Sequence, residues 1–213
     1  KVTSPGEWLD CDLIASSGGY SPVVHLASHL GGKPVWREDI LGFVPGEAPQ
    51  KRVCVGGING VYSLGDTLAD GFEGGVRAAS EAGFQAVEGV LPKALARLEE
   101  PTLALFQVPH EKGTARAPKQ FVDLQNDVTA AAIELATREG FESVEHVKRY
   151  TALGFGTDQG KLGNVNGLAI AARSLNVSIP QMGTTMFRPN YTPITFGAVA
   201  GRHCGHIFEP VRF

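Results

Sequence analysis

A run of helix signals in the second half of the chain constrains the fold more than any other feature. Thr129 can cap a helix over "AAAIELATREG", and Gly140 lies where a glycine commonly follows a helix. Ser143 can cap "VEHVKRYTALG", which Gly154 can end, and "NVNGLAIAARSLNV" carries a third apolar face. The pattern predicts a small all-helical domain over residues 121–176.

The first half carries a different pattern, in which short apolar runs lead into glycine turns. "CDLIAS" precedes Gly18 and Gly19, and "YSPVVHLASHLGG" then predicts a helix capped by Ser21 and ended by Gly31. A strand, a glycine turn and a helix are the connections of an α/β domain.

The same pattern recurs at Val53–Val55, which precede Gly56 and Gly57. A long helix is predicted to follow, with one apolar face formed by Leu64, Leu68 and Val76. Such a turn can present backbone N–H groups to a pyrophosphate, although a tight strand–helix connection alone also requires glycine.

We therefore predict an α/β fold followed by a small all-α module and an extended C-terminal strap. Residues 1–83 form the α/β part, and 84–120 form a linker. The helical domain occupies 121–176, and 177–213 form an extended inter-domain segment.

Composition narrows the function classes. A formal net charge of −3 gives no reason to expect nucleic acid or an anionic membrane as a partner. Three widely spaced cysteines argue against a disulfide framework and favour the cytoplasm. The chain begins with Lys and ends on an aromatic residue, so we expect an internal piece of a longer polypeptide.

Two histidine-containing groups resemble metal sites only at first inspection. His25 and His29 have i, i+4 spacing but no third ligand at a suggestive distance in sequence. His203, Cys204 and His206 lie within one turn, too close together to surround one ion without help. We expect no metal at either place.

A further group, His146, Lys148 and Arg149 in "SVEHVKRY", suggests acid–base chemistry. On a capped surface helix, a solvated charged face is the expected interpretation.

The loop "GFGTDQG" suggests a nucleotide site but does not match one. The spacing of Gly154, Gly156 and Gly160 is one residue too long for a dinucleotide fingerprint, and a helix precedes it instead of a strand. Lys161 does not stand in the register of a P-loop lysine.

The segment "DLQNDVTAAAIELATREGFESVEHVKRYTALGFGTDQGKLG" resembles the helical domain of bacterioferritin-associated ferredoxins. Four cysteines of that domain hold a 2Fe–2S cluster. Here those positions are Asp123, Gln125, Asp158 and Gly163. Without thiolates, no iron–sulfur cluster is expected.

Several longer segments resemble the α subunit of heterotetrameric sarcosine oxidases. They are "FVDLQNDVTAA", "EGFESVEHVKRYTALGFGTDQGK", "NGLAIAA" and "FRPNYTPITFGAVAGRH". The first half resembles the end of that family's dinucleotide-binding domain, which implies that residues 1–83 form the C-terminal part of such a domain. Ile58 stands where flavin-binding relatives carry Asp, which argues against flavin there and is compatible with NAD.

The resemblance implies a role in the oxidation of the N-methyl group of sarcosine, with glycine and H2O2 as products and formaldehyde or a methylene-folate as the one-carbon product. It implies NAD in the α subunit, FAD on a β subunit, FMN at the α/β interface, and smaller subunits in a hetero-oligomer. Folate would bind to a domain beyond this sequence. No catalytic residue is expected in this chain, which alone should be inactive.

Within that resemblance, three groups of residues are candidate cofactor contacts. For FMN, the first group is the loop formed by Thr157, Asp158, Gln159, Gly160 and Lys161, with Lys161 facing the phosphate. The second, suited to a planar or anionic ligand, is the segment containing Arg188, Asn190, Tyr191 and Thr192. For NAD, the candidates are Gly18, Gly19, Gly56, Gly57 and Asn59.

Each group has a purely structural alternative. The loop can pack against a neighbouring domain, the Arg188 segment can be a strap, and the glycines can only form turns. Two alternative functions also stay open: a related opine or hydroxyproline oxidoreductase, and a non-catalytic scaffold that docks flavin-bearing partners.

Overall fold

The computed structural model describes residues 7, 9–15, 18–85, 89–95, 102–189 and 192–207. The fold is mixed, rich in helix and poor in strand. In chain order its helices and strands are α1 (His25–Ser28), β1 (Val35–Arg37), β2 (Gly42–Val44), α2 (Leu64–Glu81), β3 (Phe121–Asp123), β4 (Val128–Thr129), α3 (Ala130–Arg138), α4 (Val144–Thr151), α5 (Asn164–Leu175), α6 (Ile179–Met182) and α7 (Phe196–Ala200). Short 3-10 helices cover Gly56–Asn59 and Arg202–Ile207.

Helices α3, α4 and α5 surround the main hydrophobic core. Its largest fully buried side chains are Ile133, Val147, Leu153, Leu168 and Ile170, with Val128 from β4. Helix α3 begins as the sequence indicates, because Thr129 Oγ1 accepts a hydrogen bond from the N–H of Ala132 at 3.2 Å. The predicted helices therefore form, and their apolar faces pack together.

The helix ends show where the cap signals were incomplete. Gly140 follows α3 with φ 96°, as predicted. Ser143 precedes α4 but makes no side-chain capping bond, and Ala152 in the left-handed region, not Gly154, ends that helix. Buried Leu153 follows Ala152, so core packing holds a residue in a conformation that glycine usually adopts.

Two small antiparallel sheets accompany the helices. In the first, Val35 pairs with Val44 and Trp36 with Phe43. Phe43 is part of the buried core, and the centroid of its ring lies 5.0 Å from that of the Trp36 ring. In the second sheet, β3 pairs with β4 across an irregular register. This second hairpin places Asp123 next to the glycine loop.

The α/β prediction for the first half is wrong in its strands. Residues 11–15 form no strand, and Leu13 and Ile14 are 83% and 80% exposed. Val53–Val55 are also outside any sheet. A strand requires a neighbour for its N–H and C=O groups, and no described residue pairs with either run.

The helices of the first half are partly as predicted. Helix α2 forms and begins at Ser63, whose hydroxyl accepts from the N–H of Asp66, but most of the helix is exposed or only half-buried. Helix α1 is only four residues long and begins after Val24, so Ser21 does not cap it.

The C-terminal segment is not wholly extended, contrary to the prediction. Residues 183–189 have no regular structure, but α6, α7 and the second 3-10 helix lie in the range 177–213. A capping box between Ser178 and Gln181 explains α6. The predicted domain boundaries stay predictions.

In the part of the chain that the structure describes, no helix is both long and apolar enough to cross a membrane.

Candidate functional site

The glycine loop between α4 and α5 is built from left-handed backbone. Gly154, Gly156, Gln159 and Gly160 have φ values of 72°, 64°, 49° and 77°. Glycine adopts this conformation without a steric penalty. At Gly160 a Cβ would also lie 2.7 Å from Cβ of Asn164, so both the backbone conformation and the lack of space require glycine there. The glycines therefore shape the path into α5.

Asp123 holds the start of this loop. Its side chain is 3% exposed, and Oδ2 accepts from the N–H of Gly154 at 2.8 Å. Oδ1 accepts from the N–H groups of Gln125 and Asn126, both at 2.9 Å. One buried carboxylate therefore links the β3–β4 turn to the end of α4.

Gln125 makes a second link to the loop. Its Nε2 donates to Oγ1 of Thr157 and its Oε1 accepts from the N–H of Asp158, both at 2.9 Å. Asp123 and Gln125 occupy the first two cluster-cysteine positions of the ferredoxin-like resemblance. Hydrogen bonds to the loop are present where that domain uses metal–thiolate bonds.

The four positions of that resemblance converge in space. A Cβ at Gly163 would lie 3.5 Å from the backbone nitrogen of Asp123 and 2.0 Å from the carbonyl oxygen of Val122. The second distance leaves no room for any side chain. The carbonyl of Val122 therefore occupies the space that a fourth ligand would need.

Two histidines from the first half anchor the loop and the segment after α6. Nε2 of buried His25 donates to the carbonyl of Gln159 at 2.7 Å, and Nε2 of His29 donates to that of Arg188 at 2.9 Å. The centroid of the His25 ring also lies 3.9 Å from the centroid of the Phe187 ring. The i, i+4 spacing thus serves to anchor two backbone carbonyls, a role that the sequence did not predict.

The pKa of His25 is lowered, chiefly by burial, although the hydrogen bond to Gln159 acts in the opposite direction. Since Nε2 donates, Nδ1 is the unprotonated nitrogen, and this buried atom has no hydrogen-bond partner among the described residues. The neutral imidazole is therefore the form that the fold accommodates.

An open cavity of about 440 Å³ lies against the loop. Its lining residues are Leu124, Gln125, Thr157, Asp158, Lys161 and Leu162. Three of the five loop candidates line it. Gly160 and Gln159 do not; both are buried.

Gln159 serves the structure of the loop. Its Nε2 donates to the carbonyl of Gly156 at 2.7 Å, and its Oε1 accepts from the N–H of Arg188 at 2.9 Å. The loop and the Arg188 segment, the first two groups of candidate cofactor contacts, are thereby joined through one side chain. Asn190 and Tyr191 lie outside the described residues, and Thr192 is exposed.

The two glycine turns predicted for NAD are brought together by an aromatic contact. Tyr20, next to Gly19, stacks on Tyr62 with 5.5 Å between ring centroids. A Cβ at Gly57 would lie 3.8 Å from the ring of Tyr62. Gly18, by contrast, has open space around it.

The other NAD candidates already have partners. The N–H of Gly56 donates to the carboxylate of Asp70 at 2.6 Å, and Nδ2 of Asn59 donates to the carbonyl of Cys54. Asp70, on the first turns of α2, was not singled out from the sequence. Its negative charge disfavours a phosphate at Gly56.

The prediction of a solvated charged face on α4 is wrong for Lys148, which is buried. Its side chain is 5% exposed, and its Nζ donates to the carbonyl of Met186 at 2.9 Å. His146 and Arg149 are exposed as predicted. Burial lowers the pKa of Lys148, and so do the nearby charges of Arg188 and Arg149, whereas Glu145 acts in the opposite direction.

Among residues 7, 9–15, 18–85, 89–95, 102–189 and 192–207, no three His, Cys, Asp or Glu side chains form a group that could hold a metal ion. Cys204 lies close to the carbonyl of Ala200, at 3.1 Å from its sulfur. The side chain of His206 lies outside the described residues.

Comparison with known proteins shows similarity to one subunit over nearly the whole chain. Sarcosine oxidase subunit alpha of Rhizobium meliloti (strain 1021) is 41% identical over 218 residues, which cover 97% of this chain and 20% of that protein. The subunits alpha of Corynebacterium sp. strains P-1 and U-96 are 39% and 40% identical, covering 96% of this chain and 21% of each. The chain spans about a fifth of the length of these relatives.

A solved structure shares the fold. L-proline dehydrogenase from P. horikoshii superimposes with a TM-score of 0.56 at 17% identity, over 86% of this chain and 38% of that one.

A family match covers the glycine loop, its hydrogen-bonded links and the segment after α6. Residues 117–202 match the family described as the sarcosine oxidase A3 domain. Together with identities near 40%, this match shows that the chain is similar to the sarcosine oxidase α subunit over nearly its whole length.

Proposed function

We propose that this chain acts within the α subunit of a flavin-dependent sarcosine oxidase. The observation that carries the proposal is the identity of 39–41% to proteins of that name over at least 96% of the chain. In the proposed reaction sarcosine, O2 and water give glycine, H2O2 and formaldehyde, or the one-carbon unit passes to tetrahydrofolate instead of being released. The amine is bound and oxidised on another subunit.

We further propose that the loop Thr157–Lys161 contacts FMN at the interface with a β subunit. The donor chemistry of the cavity supports this. Lys161 supplies a cation for a phosphate, and Thr157 has a hydroxyl proton to donate because its oxygen accepts from Gln125. Asp158 lines the same cavity, and a carboxylate suits sugar-alcohol hydroxyls. FMN would supply the transfer of electrons to O2.

The exposed apolar side chains of the first half support assembly with other protein surfaces. Leu13 and Ile14 are joined by Val90 and Leu95, which are 93% and 95% exposed. Large exposed apolar groups in this density are typical of interfaces. NAD binding near Gly18, Gly19, Gly57 and Asn59 is likewise a proposal, tested by assaying NAD released on heating the purified complex.

The test of the FMN proposal is Lys161→Ala in the assembled oxidase, with Lys119→Ala as a control on an exposed lysine outside the cavity. Acid-released FMN should fall in the first variant and stay level in the second, with FAD content unchanged in both. Full FMN content in Lys161→Ala would refute the assignment of Lys161.

A further inference from the structure

A second cavity, of about 290 Å³, also lies against the glycine loop but shares no lining residue with the first. It is lined by Glu145, Lys148, Arg149, Phe155, Gly156, Gln159 and Arg188. Helix α4, the loop and the segment after α6 each contribute to it. We call it the cationic pocket.

The pocket has an excess of positive charge although the whole chain is negative. Lys148, Arg149 and Arg188 face one carboxylate, Glu145, which leaves two positive charges unmatched in the lining. Glu145 is itself engaged, because its Oε1 accepts from the N–H of Met186 at 2.5 Å. The chain as a whole carries a formal charge of −3.

The two guanidinium groups are not engaged by the described residues. Neither Arg149 nor Arg188 has a side-chain hydrogen bond or ion pair there, whereas Arg37 and Arg173 both pair with carboxylates. Lys148 is buried beside them, with its Nζ 5.8 Å from the ring centroid of Phe155. Like charges held around a buried ammonium oppose one another unless an anion joins them.

We propose that the cationic pocket binds the phosphate monoester group of a small molecule. A monoester carries a charge of about −1.5 to −2 at pH 7, which matches the unmatched charge of the lining. Guanidinium groups bind phosphate oxygens through paired N–H donors. Phe155 offers an adjacent apolar surface to the rest of the molecule.

The pocket is separate from the cavity of Lys161, so the proposal does not depend on the FMN assignment. The anion would also raise the depressed pKa of Lys148.

The experiment measures binding of inorganic phosphate, FMN and riboflavin to the purified chain by calorimetry at constant ionic strength. The double variant Arg149→Gln/Arg188→Gln should weaken phosphate-group binding at least about tenfold (about 1.4 kcal/mol). Arg138→Gln, an exposed arginine of α3 outside the pocket, is the matched control and should bind as the parent chain does.

The three ligands distinguish the sources of the phosphate. If FMN binds more tightly than riboflavin, and if this difference disappears in the double variant, the pocket binds a phosphate monoester. If inorganic phosphate binds with the same affinity as FMN, the same pocket is filled by free phosphate. Binding lost in Lys161→Gln but kept in the double variant would overturn the proposal. So would the absence of any phosphate-dependent upward shift of the Lys148 pKa, followed by NMR of its Cε.

Discussion

Replacing Asp123 by Asn tests whether one carboxylate holds the glycine loop. The substitution keeps the shape of the side chain but turns one acceptor oxygen into an NH2 donor. If that nitrogen faces Gly154, the NH2 group and the N–H of Gly154 are two donors facing each other in a buried place. If it faces the turn, the N–H groups of Gln125 and Asn126 lose their acceptor. Either orientation breaks at least one hydrogen bond to a charged group.

The magnitude follows from these contacts. A hydrogen bond to a charged group contributes about 1.5–3 kcal/mol, and a buried N–H left unsatisfied costs about 1–3 kcal/mol. We therefore expect Asp123→Asn to lower the free energy of unfolding by about 2–4 kcal/mol, a large part of the roughly 5–15 kcal/mol of a typical domain. Urea titration followed by circular dichroism measures it.

Asp127→Asn is the matched control, because it makes the same chemical change four residues away. Asp127 is exposed, and its φ of 53° suits Asn. Its free energy of unfolding should change by less than about 0.5 kcal/mol, as is usual at the surface. If the two variants lose equal stability, the carboxylate of Asp123 does not hold the loop.

Two further predictions concern His25 and Gly163. The folded pKa of His25 lies below the unfolded value of about 6.5, so the unfolded state binds more protons. The contribution of His25 to the free energy of unfolding is therefore fully present above about pH 6.5 and decreases as the pH falls below it. His25→Gln, which keeps a donor for Gln159, should reduce this slope in urea titrations from pH 7.5 to 5; an unchanged slope would contradict the assignment. Gly163→Ala should cost about 2–3 kcal/mol by overpacking against the carbonyl of Val122, whereas Gly75→Ala in α2, with open space around it, should raise stability by about 0.5–1 kcal/mol. Thermal unfolding compares the pair, and equal effects would refute the steric argument.

The sequence was most informative where the signals are local. The cap at Thr129, the long helix after Gly57 and the glycines of the loop depend on neighbouring residues, so these features were predictable. The strand predicted at residues 11–15 does not form, because a strand depends on partners that an apolar run does not specify.

The candidate sites divide in the same way. The loop was found from its glycines, but the residues that fix it, Asp123, Gln125 and His25, act through contacts distant in sequence. Lys148 was misjudged because its charge predicts solvent exposure, and only the packing of α4 against the segment near Met186 buries it.

The histidine anchors have a consequence for how the chain folds. His25 precedes its partner Gln159 by 134 residues, and His29 precedes Arg188 by 159. At synthesis rates of about 5–20 residues per second, His25 is synthesised roughly 7–27 s before its partner. The helices around Ile133 and Leu168 are close in sequence and can assemble first. The first half of the chain therefore docks late, onto a surface that the second half has already built.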